Sequence, residues 1–184
     1  HDRALSDFKN LGAPRTLWLM VPNNAVDEVL KELVPILDKG DTVIDGGNSF
    51  YKDSIRRGDE LQNRGIRFLD VGVSGGPNGA RHGACMMIGG DKKRFLELQD
   101  LFIDLTLPDS FKFFGKAGAG HFVKMVHNGI EYGMMQAIAE GFEVMKKSDF
   151  NLNLQNVADL YNHGSVIESH LVGWLESGFK KYGE

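Results

Sequence analysis

A single cysteine, Cys85, leaves this 184-residue chain no intrachain disulfide to close. A reducing compartment, the cytoplasm, is therefore the expected location. No apolar run approaches the ~18–20 residues that a membrane span requires. The longest helical-looking stretch, 118–147, is interrupted by Lys124, His127, Asn128, Glu131 and Glu140. Excess positive charge is also missing. A net charge of −4 argues against a general attraction to nucleic acid or an anionic membrane surface. His1, His82, His163 and His170 stand far apart without metal-ligand spacing, so no metal site is expected.

What is present is an alternation of strand-like and helix-like segments. Leu17-Trp18-Leu19-Met20-Val21 is a continuous apolar run closed by Pro22, suited to a strand buried on both faces. Val26, Val29, Leu30, Leu33, Ile36 and Leu37 recur at helical spacing up to Gly40. Thr42-Val43-Ile44 predicts a second buried strand, 52–64 a polar helix, and 66–73 a third strand followed by a loop over 74–79. A short strand over 85–88, with Cys85 in the core, a helix over 92–105 and a strand over 111–114 complete the pattern. This is a doubly wound α/β sheet. From Gly118 the chain reads as helical, with breaks near 148–153 and at Gly164. The expected division is a partial dinucleotide-binding domain over 1–116 and the start of a helical catalytic and dimerisation domain over 117–184.

Dinucleotide-binding sheets place a Gly-x-Gly-x-x-Gly turn after their first strand, where a helix N-terminus meets the pyrophosphate. No such turn follows a strand here, and the glycines of 115–120 are wrongly spaced and open the helical part. The chain begins with His1 rather than Met, and 181–184 reads as a helix end. A piece of a longer protein is expected, carrying the C-terminal half of a Rossmann-type sheet.

Three constellations could carry chemistry. Asp45-Gly46-Gly47-Asn48-Ser49 ends a buried strand, at the edge where open α/β sheets bind ligands. Its glycines would let a ligand approach the backbone, and Asn48 offers both a donor and an acceptor. The alternative is a plain strand-to-helix turn with Asn48 or Ser49 as N-cap. Val73-Ser74-Gly75-Gly76 follows the next strand, and its successive N–H groups could cradle an anion; a tight loop without a ligand is the alternative. In 124–132, Lys124, His127, Asn128, Glu131 and Tyr132 stand at i, i+3, i+4, i+7 and i+8, one face of a helix. The alternative is a solvated polar stripe. A stripe combining His, Asn and Tyr with the helix-weakening Gly129 favours a ligand. A partly buried lysine near the positive end of a helix sheds its proton readily, which makes Lys124 a candidate base. Glu131 is the complementary acid, and His121, one turn before Lys124, is placed to line the same site.

These residues resemble the signatures of the decarboxylating 6-phosphogluconate dehydrogenase family in order and spacing. The match lies in 45–49, in 73–76 followed by Gly79-Ala80-Arg81, and above all in the run from Gly120 to Tyr132. It extends from about Pro14 to the C-terminus. Phe50-Tyr51-Lys52-Asp53 and Met134 after Gly133 look more like the shorter bacterial branch, which is often NAD-linked.

The resemblance implies oxidation of 6-phospho-D-gluconate at C3, loss of CO2 from the β-keto acid, and release of ribulose 5-phosphate, within the oxidative pentose phosphate pathway. Lys124 would take the C3 hydroxyl proton and later return one to the C3 carbonyl oxygen, while Glu131 would protonate C1 of the enediol. Asn48, Ser74, Gly75, Gly76, His127, Asn128 and Tyr132 would hold the substrate. Met20, Val21, Pro22 and Asn48 would touch the cofactor, NAD or NADP. No metal is needed, because the ketone is the electron sink. A homodimer or higher homo-oligomer is implied.

The sequence departs from the family by lacking the pyrophosphate turn, the strand end that reads cofactor choice, and the downstream basic residues that grip the substrate phosphate. It also carries Val21 where longer members often have lysine. The nearest rival is a 3-hydroxyisobutyrate-type β-hydroxyacid dehydrogenase, which shares the sheet, the Ser-Gly-Gly turn and the helix lysine. That rival typically lacks the His-Asn-Gly-Ile-Glu run, so Glu131 discriminates. A further alternative is that these 184 residues alone are inactive, binding cofactor weakly and exposing an unpaired sheet edge.

Overall fold

The computed structural model describes residues 11–183. The chain divides into two compact units, one running to Val126 and the other from His127.

In the first unit, β1 (Thr16–Leu19), β2 (Thr42–Asp45), β3 (Arg67–Ser74), β4 (Ala84–Gly90) and β5 (Thr106–Gly115) form a five-stranded sheet in the order of the chain. β1–β2, β2–β3 and β4–β5 pair in parallel, whereas β3–β4 is antiparallel. The reason is length. The connection 75–83 is too short for the dozen or more residues a parallel crossover needs. It is also not a plain loop. Gly76–His82 forms a seven-residue helix, α3, where the sequence predicts an open turn. Pro77 at its start supplies a helix-compatible φ without needing a hydrogen-bond acceptor.

α1 (Val26–Leu33) and α2 (Tyr51–Gln62) connect the parallel strands, and Lys92–Glu97 (α4) and Gln99–Leu105 (α5) join β4 to β5. The single helix expected over 92–105 is thus interrupted at Leu98. β1 stops at Leu19, which frees Met20 and Val21 from the strand. β5 is longer than expected, and its Phe111 and Phe113 point inward while Lys112 and Phe114 are exposed. Cys85 is exposed rather than in the core. It alternates with the buried Ala84 and Met86 and therefore points to the opposite face of β4.

Two apolar clusters cover the faces of the sheet. Val26, Leu30, Leu33 and Leu61 pack on Val43 and Phe68, and Phe95 and Phe102 pack on Ile44, Leu69, Val71 and Ile88. Around α1 and α2 the charges are paired. Arg57 and Arg56 both hydrogen-bond Asp27 in the first turn of α1. The hydrogen bond from Arg57, aided by Arg56, lowers the Asp27 carboxyl from 3.8 to about 2. A lowered folded-state pKa contributes stability that is fully present above about pH 4 and lost as the pH falls toward 2. Asp27→Asn should therefore flatten the stability-versus-pH curve in that window. Unchanged acid unfolding in the variant would reject the pairing as a source of acid sensitivity.

The second unit contains the later turns of α6 (Ala119–Lys146), then α7 (Leu154–Tyr161) and α8 (His170–Tyr182). Asn153 and Ser169 cap α7 and α8 with their side chains. Phe142, Leu154 and Ala158 are its buried centre, with Ile138, Met145, Leu175 and Phe179 packed around them. Val144, Leu160, Val166, Ile167 and Trp174 remain exposed, consistent with more apolar surface than these helices bury among themselves. No helix among the described residues is long and apolar enough to cross a membrane.

Candidate active site

The carboxyl ends of β1, β2 and β3 lie at one edge of the sheet, with Leu19, Asp45 and Asp70 in register across the three strands. At the end of β1, Met20 is 64% exposed, Val21 is half-buried and Pro22 exposed. Asn48, after β2, is exposed and held at a φ of 54°, a left-handed conformation that Asn tolerates better than most residues. Neither Asn48 nor Ser49 caps the next helix. The N-cap of α2 is Phe50, without a side-chain hydrogen bond. Ser49 instead turns inward and donates from Oγ to Asp45 Oδ2 at 2.8 Å.

The glycines of this turn have an internal reason. A Cβ on Gly46 would lie 2.4 Å from Trp18 Nε1, and one on Gly47 would lie 2.5 Å from the Val21 carbonyl oxygen. The turn is pressed against the end of β1, so the sequence expectation of close ligand approach is not what demands these two glycines. Ser74, the last residue of β3, is half-buried, and the following Gly75 and Gly76 are exposed with φ of 126° and 55°. Space around Gly76 is open.

α6 carries the third constellation. Lys124 is buried at 7% exposure. Its stem lies directly on β3, since a Cβ on Gly72 would come within 2.3 Å of Lys124 Cβ. Gly72 is two residues before Ser74, so the lysine meets the strand just short of the Ser-Gly-Gly turn. In the second unit, His127 and Asn128 are half-buried and Tyr132 is exposed. His127 Nδ1 is 3.2 Å from Asn128 Oδ1 and 3.6 Å from Glu131 Oε2. Gly129 has nothing within 4 Å of where a Cβ would stand, so no internal contact accounts for that glycine.

His121 does not line an open site. It is 1% exposed and shares a 2.7 Å hydrogen bond with Ser54 Oγ. Asp70, fully buried, accepts the backbone N–H groups of Gly118 and His121 at 2.7 and 2.8 Å. Burial pushes the His121 imidazole below its ordinary value, and burial also lifts the Asp70 carboxyl above its ordinary range, against the pull of those two N–H bonds. Sequence reasoning passed over Asp70 and Ser54. The available signal was a lone acid inside the buried run Phe68-Leu69-Asp70-Val71. Among the described residues no cluster of acidic, His and Cys side chains could hold a metal ion.

Residues 4–107 match the NAD binding domain of 6-phosphogluconate dehydrogenase, and residues 120–149 match that enzyme's C-terminal domain. The chain belongs to the 6-phosphogluconate dehydrogenase family. The Bacillus subtilis protein YqeC, which carries a provisional 6-phosphogluconate dehydrogenase name, is 52% identical over 171 residues, 93% of this chain and 58% of its own length. The NAD(+)-dependent, decarboxylating 6-phosphogluconate dehydrogenase of Haloferax volcanii is 44% identical, over 94% of this chain and 58% of its own length. A solved 6-phosphogluconate dehydrogenase from Plasmodium falciparum matches with a TM-score of 0.79 at 36% identity, covering 90% of this chain and 38% of the other. The chain thus spans 58% of the length of each of these two curated relatives. A 3-hydroxyisobutyrate dehydrogenase from Mycobacterium tuberculosis matches with a TM-score of 0.71, over 84% of this chain and 53% of the other. At 23% identity that likeness shows the fold alone.

Proposed function

We propose that the full-length protein is a decarboxylating 6-phosphogluconate dehydrogenase using NAD or NADP, and that this chain supplies its acid and base. The observation that carries the reading is the buried Lys124, seated on Gly72 beside the Ser74-Gly75-Gly76 turn. The relatives' names support it: that of Haloferax volcanii is named as NAD(+)-dependent and decarboxylating, and the Plasmodium falciparum enzyme is described with NADP+ and with 6-phosphogluconate. On this reading the partial dinucleotide-binding domain runs to residue 116 and the helical domain starts at 117.

The turns after β1 and β2 suit a flat ring at the sheet edge. Met20 and Val21 offer apolar contact, Pro22 a rigid turn, and Asn48 an exposed amide. A nicotinamide held by these residues would supply the hydride acceptor for the oxidation at C3. Lys124 takes the C3 hydroxyl proton as that hydride leaves, giving the 3-keto acid. The C1–C2 bond then breaks, CO2 departs, and its electron pair moves toward the C3 carbonyl, whose oxygen is protonated by Lys124. Glu131 protonates the resulting enediol at the carbon that has lost CO2, giving ribulose 5-phosphate. The N–H groups at Gly75 and Gly76, the Ser74 hydroxyl, and the polar side chains of Asn48, His127, Asn128 and Tyr132 hold the substrate's carboxylate and hydroxyls. On the same reading the enzyme works in the cytoplasm as a homodimer or larger homo-oligomer, and the exposed Val166, Ile167 and Trp174 support an interface on the helical part.

The test is an assay of the full-length protein with 6-phosphogluconate, offering NAD and NADP separately and following reduced cofactor and CO2 together. Equal release of both is expected. Reduced cofactor without CO2 would favour the β-hydroxyacid rival, and neither product would overturn the substrate assignment.

A further inference from the structure

Asp70 is a buried acid for which the chemistry above has no use, within an apolar stretch of β3. A carboxylate in such a place is costly unless it is hydrogen-bonded. Its two oxygens accept the N–H groups of Gly118 and His121 at 2.7 and 2.8 Å. These belong to the opening of α6, where N–H groups have no acceptor within the helix. Asp70 therefore caps α6 from a strand 48 residues earlier in the chain, with negative charge at the positive end of the helix.

Two residues further along β3, on the same face of the strand, Gly72 receives Lys124. A Cβ on Gly120 would stand 2.4 Å from the Met87 carbonyl oxygen and 2.5 Å from that of Asp70. The first turns of α6 thus lie directly on the backbone of β3 and β4. A cap at Asp70 and a seat at Gly72 fix the depth and roll of the helix.

We infer that Asp70 is a positioning residue for Lys124, setting where the ammonium group stands at the edge of β3. The inference rests on the assignment of Lys124 as the base. Asparagine at position 70 would keep one acceptor and turn its amide donor toward a second N–H, while alanine would leave both N–H groups without their acceptor. Misplacing a catalytic group by about 1 Å can cost about a hundredfold in rate.

In the full-length protein, Asp70→Asn should lower kcat about tenfold and Asp70→Ala about a hundredfold. KM for 6-phosphogluconate and the cofactor dissociation constant should stay within about twofold of their original values, a split that general destabilisation would not produce. In a Lys124→Ala background, Asp70→Asn should add no further loss. Gly72→Ala, which displaces Lys124 while leaving Asp70 intact, should reproduce the fall in kcat. Wild-type kcat in folded Asp70→Asn, additive loss in the double variant, or failure of both the Asp70 and Gly72 variants to fold would each overturn the positioning role. Wild-type kcat in Lys124→Ala alone would instead overturn the assignment of the base.

Discussion

Replacing Lys124 with methionine in the full-length protein is expected to lower kcat by about a hundredfold to ten-thousandfold, the range that positioned acid–base catalysis contributes. Methionine conserves most of the stem volume, and the site demands that, because the lysine is 7% exposed and its Cβ rests on Gly72. The fold should survive, so the thermal midpoint separates loss of chemistry from loss of structure. The same proton-transfer group serves both the oxidation and the decarboxylation, so reduced cofactor and CO2 should fall together. If the lysine acted only after hydride transfer, a single-turnover experiment would still show the burst of reduced cofactor. Retention of more than a tenth of the activity would mean that the base lies elsewhere.

The edge of the sheet could be read from the sequence because each turn there follows a strand-like run: Leu17–Leu19 before Met20, Thr42–Ile44 before Asn48, and 67–73 before Ser74, although Leu17 and Trp18 are half-buried rather than buried on both faces. The spacing from Lys124 to Tyr132 likewise needs only the period of a helix, and α6 spans it without a break. What the sequence did not reveal depends on partners distant along the chain. Gly46 and Gly47 are small because β1 presses on them, a constraint that involves residues about twenty-five positions earlier. Asp70 acts on amides around fifty residues later. Cys85 sits in an apolar-looking strand, on the face opposite the buried Ala84 and Met86, and a run apolar on both faces does not say which one is left uncovered. The antiparallel β3–β4 pair follows from connection length, which hydrophobic patterning does not encode.

Arg57→Met should destabilise the protein by about 3–5 kcal/mol, the cost of breaking a buried ion pair from one side. Arg57 is 2% exposed and Asp45 fully buried. The guanidinium donates to Asp45 Oδ2 at 3.1 Å and to Asp27 Oδ1 at 2.8 Å. Methionine fills part of the volume but leaves the Asp45 carboxylate with the Ser49 hydroxyl and the Gly47 N–H, neither of which balances its charge. At about 2–4 °C per kcal/mol for a chain of this size, the thermal midpoint should fall by roughly 6–20 °C. Adding Asp45→Asn should recover part of that loss, because the uncompensated charge is then removed. A loss below about 1 kcal/mol would mean that water or a rearranged turn replaces the guanidinium, as for an exposed pair. The effect should reach function as well. Asp45 braces the turn that carries Asn48, so folded Arg57→Met should bind cofactor and substrate more weakly, whereas the Lys124 variant should bind both and turn over slowly.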